Sequence, residues 1–140
     1  MSLLYGDNYI GQTTLVKSHT LCGLFMQNMV VDCKNMILPA TSLTQRCYNS
    51  MFYGCTSLIA APELPAKTLT DYCYHRMFSK CTKLNYIKCL ATNISASECL
   101  SDWVMSVAST GTFVKAVGMT EWSTGTSGTP SGWTVVDDNS

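Results

Sequence analysis

Apolar residues recur every four positions in three parts of this chain: Leu21, Phe25 and Met29; Leu43, Cys47 and Met51; Leu69, Cys73 and Met77. Such spacing suits one face of a short helix. It therefore predicts a helix of two to three turns in each part, with these residues turned inward. Phe52 and Phe78 would seal the join to the next element, and Gly54 or Lys80 would mark the turn. A Cys-Thr-Xaa-Leu step then leads into short predicted strands near 58–60 and 84–87.

The pattern is written twice almost verbatim. Residues 38–58 return at 64–84 with an offset of 26 and identity at 12 of 21 positions. A period of this length implies stacked coils, because one coil cannot bury its own apolar face. Within each coil, Leu-Pro-Ala opens an extended piece, since proline biases the preceding residue away from helix. Thr41 or Ser42 is placed to cap the predicted helix.

Residues 21–36 read as a degenerate first coil shifted by 22, which sets Phe25 on Cys47, Met29 on Met51 and Cys33 on Cys55. A fourth coil opens at Cys89. There Ser95-Ala-Ser-Glu98 has the form of a capping box, predicting a helix to about Ala108 with Cys99, Trp103 and Val107 on one face. Phe113–Val117 and Trp133–Val136 read as strands around a Gly/Ser/Thr-rich loop. Trp122 and Trp133 have two readings: they cover the open end of the stack, or they form an aromatic platform for a sugar.

The fold expected is α/β: a short right-handed leucine-rich-repeat-like solenoid, one helix and one parallel strand per coil, with a C-terminal cap. An N-terminal cap would occupy 1–20. The solenoid would span 21–110, in coils of about 21–37, 38–63, 64–88 and 89–110, and a cap and tail would fill 111–140. In the N-terminal part, 4–9 reads as a short extended piece with a turn, and 13–16 as a strand or the start of the cap. The predicted core is Leu43, Cys47, Met51, Phe52, Cys55, Leu58, Leu69, Cys73, Met77, Phe78, Cys81, Leu84 and Trp103.

Composition narrows the function. Charged residues make up 13% of 140 and the net charge is zero. No basic stripe is visible, so nucleic acid is not expected as a partner. No apolar run is long enough to span a bilayer, and no export signal is visible in this chain. A surface of Thr, Ser, Asn and Tyr suits a protein working outside the cell. The eight cysteines suggest disulfides at first. Cys47 and Cys73 share one repeat position, however, as do Cys55 and Cys81. Side chains at equivalent positions point the same way, which predicts reduced core thiols. Cys22, Cys89 and Cys99 break the pattern and are the alternative candidates for a bridge.

Metal spacing such as Cys-Xaa-Xaa-Cys is absent, the nine acids are scattered, and no phosphate loop is present. No cofactor is expected, and no enzyme. The positions that differ between the two matched coils suit solvent. They nominate Arg46, Asn49, Tyr53, Tyr72, His75, Arg76, Lys80 and Lys83 as a candidate binding surface.

The Met-Phe-Xaa-Xaa-Cys-Thr-Xaa-Leu core at 51–58 and 77–84, preceded by Leu-Pro-Ala, resembles the BspA-type leucine-rich repeat. That family is common in surface proteins of gut and oral anaerobic bacteria and of some protozoa. The segment from Trp122 to Trp133 looks like the ending of similar gut Bacteroidales proteins. The resemblance implies a bacterial cell-surface or secreted adhesion module that binds a protein or glycan. Met stands where the family usually has Ala, and only two repeats are clear. The alternative is a structural spacer from a longer surface protein, with no ligand of its own. An open parallel edge strand would also bring a homodimer within reach.

Overall fold

The structure is a computed structural model, and it describes residues 17–140 apart from Ile37 and Pro39. The elements expected over 4–9 and 13–16, and most of the N-terminal cap, lie outside the described residues.

Among the described residues there is no helix. Three short strands form one parallel sheet in the order β1-β2-β3: β1 Tyr86–Cys89, β2 Thr112–Lys115 and β3 Thr134–Asp137. The helix-plus-strand leucine-rich-repeat solenoid is therefore the wrong architecture. The four stretches expected as helices are instead runs of linked tight turns, over 18–27, 45–54, 71–80 and 97–106.

The geometry of the runs explains the difference. Every fourth residue has positive φ: His19, Gly23 and Gln27; Arg46, Ser50 and Gly54; Tyr72, Arg76 and Lys80; Glu98, Asp102 and Ser106. Each left-handed residue cancels the winding a helix would accumulate. Alternate amides close local turns, as Asn49 N–H does to Arg46 O and Met51 N–H to Tyr48 O. The intervening amides point out of the run and donate to the next one. Tyr48 donates to Cys73 O at 3.1 Å, Ser50 to His75 O at 2.9 Å and Phe52 to Met77 O at 2.9 Å. The runs thus lie side by side, linked like neighbouring strands.

This backbone turns adjacent residues inward in pairs, Cys47-Tyr48 and Met51-Phe52, then Cys73-Tyr74 and Met77-Phe78, all buried. A non-glycine residue in the left-handed region costs about 1–2 kcal/mol. Burying one large apolar side chain gains about 1.5–3 kcal/mol, and each four-residue unit of the second and third runs buries at least one. Burial wins, but only while the neighbouring run is present.

Like residues stack on like. Tyr48 stacks on Tyr74 at 6.0 Å, Tyr74 on Trp103 at 6.1 Å and Trp103 on Trp122 at 5.9 Å. A second column runs through Phe25, Phe52 and Phe78 at 5.3 and 5.6 Å. It shows that the first run is offset from the second by 27, not 22. Phe25 lies on Phe52, and Met29 is 72% exposed rather than in the core.

On another side the chain passes through a column of parallel bridges, from Asp32 to Ala60, Tyr86, Thr112 and Thr134. The last three rungs lengthen into β1, β2 and β3. In the sheet register Ile87 faces Phe113, which faces Val135. Gly111 sits where β2 begins. A Cβ there would lie 2.6 Å from Asn85 O and 2.7 Å from the Trp133 ring, so only glycine fits.

The C-terminal segment lies over the last run. Trp103 Nε1–H donates to Gly128 O at 2.8 Å, and Trp133 Nε1–H to Ala108 O at 2.7 Å. Trp133 is buried, and Trp122 packs against both Trp103 and Phe113. Both indoles are packed against the body of the protein rather than set out as an open platform. Of the thirteen residues expected in the core, Leu43 packs partly buried against it and the other twelve are buried within it.

Candidate binding face

The outward positions of the runs fall into columns, because each run repeats the same turn geometry. Arg46, Tyr72 and Glu98 share one column, Asn49, His75 and Ser101 the next, and Ser50, Arg76 and Asp102 a third. The repeat offset of 26, constant from the second run onward, puts them there.

Four of the nominated residues meet. The Arg46 guanidinium lies over the Tyr72 ring, 4.5 Å from its centroid. Tyr72 meets His75 edge-on at 5.5 Å. His75 Nδ1 is 3.3 Å from Asn49 Nδ2, and the Ser50 hydroxyl donates to Asn49 Oδ1 at 2.9 Å. Further along, Lys80 Nζ stands 5.4 Å from the Tyr53 ring centroid. Arg76 is exposed in its left-handed position. Lys83 is exposed in the turn before β1, away from this cluster.

His75 has its pKa lowered, first by burial and then by the Arg76 charge, against the opposing pull of Glu98 and Asp102. A neutral ring accepts from the Asn49 amide at Nδ1 and carries its proton on Nε2. The cluster thus combines a guanidinium, an aromatic face, an amide and an imidazole donor. Such groups suit hydrogen-bonding and stacking recognition.

The cysteines do different work. All eight are free thiols, and seven are buried; Cys22 alone is exposed. Burial pushes the Cys47 thiol up to about 11 and those of Cys81 and Cys89 to about 12, with Cys73 higher still. Protonated thiols of this kind are poor nucleophiles. The Cys55 and Cys81 Sγ–H groups donate to Phe25 O and Phe52 O at 2.9 and 3.0 Å. Among the described residues no group of three or more His, Cys, Asp or Glu is placed to hold a metal ion. Nor do the described residues form a helix long and apolar enough to cross a membrane.

The sheet side carries its own charges. Lys88 pairs with Glu63 and Asp138 at 3.7 and 3.2 Å, and Lys115 pairs with Asp137. Lys34 lies over the Tyr86 ring beside an open groove of about 420 Å³. Comparing coils for differing positions could not find this side. Its partners come from different levels of the stack, and Lys115 and Asp137 face each other across β2 and β3, outside the two matched coils.

The chain was compared with protein-family models, with curated proteins and with solved structures, and none of them matches it.

Proposed function

We propose that this chain is a non-enzymatic binding module of a bacterial cell-surface or secreted protein. It recognises a protein or glycan through the outward face of the turn runs. The observation that carries this reading is the contact set among Arg46, Asn49, Tyr72 and His75. Each of these side chains is already held by a neighbour within the set. Less conformational entropy is then lost on binding. The runs beneath are held by backbone bonds between coils, which keeps the spacing of the four groups constant.

The test is an array of extracellular matrix proteins and glycans probed with the parent and with a Tyr72→Ala, Arg46→Ala double variant. Saturable binding that falls at least about tenfold in the variant is expected, as for loss of an anchoring aromatic. Saturable binding that survives unchanged would move the site elsewhere.

A second reading is a structural spacer. The observation that favours it is β3, which is exposed along its whole length and forms the edge of the sheet. A strand so presented suits continuation of the stack by another polypeptide. No saturable binding on the array would favour this reading.

A further inference from the structure

In the third run the outward amides find their acceptors in the fourth: Tyr72 N–H donates to Ser97 O, and Tyr74 N–H to Cys99 O, each at 3.0 Å. The fourth run has only the C-terminal segment beside it. That segment meets the middle amides, with Asp102 N–H donating to Ser127 Oγ at 3.0 Å and Val104 N–H to Thr126 O at 3.1 Å. Glu98 and Leu100 stand in the positions of Tyr72 and Tyr74. Among the described residues, neither of their amides donates to an oxygen, and Leu100 N–H reaches only the sulfur of Cys99. Leu100 is 5% exposed, and a buried amide without an oxygen acceptor is uncommon, whereas Glu98 is open to solvent.

Both residues line an open groove of about 470 Å³. Ile94 and Ala96 give it an apolar floor, and Ser101, Ser123 and Ser127 bring hydroxyls to its rim. Three carboxylates lie around this end. Asp71 Oδ1 accepts from Ser97 N–H, and Asp102 Oδ1 accepts from the Thr126 hydroxyl. Glu98, exposed and lining the groove, has no such bond among the described residues.

We propose that this groove docks a short, basic, extended peptide segment of a partner protein. Two of its carbonyls accept from the Glu98 and Leu100 amides, and a Lys or Arg faces the Glu98 carboxylate. The donors are two residues apart in the chain, as are the carbonyls along one side of an extended peptide. This is backbone addition to an open edge, with the side-chain floor and the carboxylate setting preference. The surrounding acids disfavour an anionic ligand. A second copy stacked end-on does not fit, because residues 126–128 already cover the middle of the run.

The experiment has two parts, both on the full chain. Amide hydrogen exchange should show Glu98 and Leu100 exchanging on the order of a hundredfold faster than Tyr72 and Tyr74. Equal protection would overturn the proposal, since the donors would then be satisfied within the chain. Next, a display library of random nonapeptides is panned on the parent. Enriched peptides should carry Lys or Arg, and should lose about tenfold or more in affinity to Ser101→Trp and to Glu98→Lys. Tyr72→Ala should leave them unaffected. Ser123→Trp replaces Ser101→Trp if the latter does not melt like the parent. Failure to enrich any peptide, or equal binding to the groove-filled variant, overturns the proposal. So does a neutral oligosaccharide that binds in this groove when no peptide does.

Discussion

The second and third runs differ from the fourth in how they satisfy the same backbone. In the former, each outward amide meets a backbone carbonyl at one repeat spacing, so the solution is the same at every rung. In the fourth, the partners are a serine hydroxyl, one loop carbonyl and, for the indole of Trp103, another carbonyl. The difference teaches that a repeating backbone can be ended by side-chain chemistry. It also shows what ending it costs, since the Glu98 and Leu100 amides find no carbonyl acceptor. The middle of the stack is insensitive to which polar residue stands outside, and the end depends on particular residues.

Substitutions can break that contrast. The largest effect is expected from Met51→Asp in the middle, where a residue 1% exposed would become an unpaired carboxylate. A loss above about 4 kcal/mol is expected in a denaturant melt. Trp103→Ala comes next. It removes a fully buried ring that stacks on Tyr74 and Trp122 and holds Gly128. We expect a loss of about 3–5 kcal/mol. The C-terminal amides should then exchange before those of the second run do.

The pH dependence is smaller and comes from the buried thiols. In the folded chain Cys47 ionises only near about 11, and Cys81 and Cys89 near about 12. Unfolded thiols ionise near about 8.5. Folded-state values are raised, so the stabilisation is complete below about pH 8.5 and is lost as pH rises towards 11–12. One unit above the unfolded value, each such thiol should cost about 1 kcal/mol. Denaturation midpoints between pH 7 and 10 check this, and a flat profile would contradict it. The smallest effect has the opposite sign. Arg76→Gly relieves a left-handed residue in the third run, and should gain about 0.5–1 kcal/mol once the backbone entropy of glycine is offset.

The 26-residue repeat makes much of the middle legible from sequence. Cys47 and Cys73, Tyr48 and Tyr74, and Phe52 and Phe78 occupy equivalent places because identical residues fill equivalent positions. β2 and β3 lie within a residue or two of the strands read at 113–117 and 133–136. The runs mislead because a spacing of four suits a helix face at first sight. A helix turns about 100° per residue, so a strict period of four drifts about 40° with each repeat. The buried pairs Cys47-Tyr48 and Met51-Phe52 keep that period in phase, and this is the signal against a helix. The first coil reads five residues out of register because Leu21, Phe25 and Met29 copy the spacing but not the pairing. As for the candidate site, its residues are visible as variable positions, but their mutual contacts depend on turn geometry that no local pattern announces. The groove at Glu98 is less legible still. It exists because the cap covers only the middle of a run.

The most direct test is the sign of φ along the runs, read from three-bond couplings and chemical shifts in solution. Positive φ is predicted at Arg46, Ser50, Tyr72, Arg76 and Lys80, with ring contacts from Tyr48 to Tyr74 and from Phe52 to Phe78. Negative φ through residues 45–54 and 71–80, with the amide contacts of a helix, would contradict the turn-run architecture.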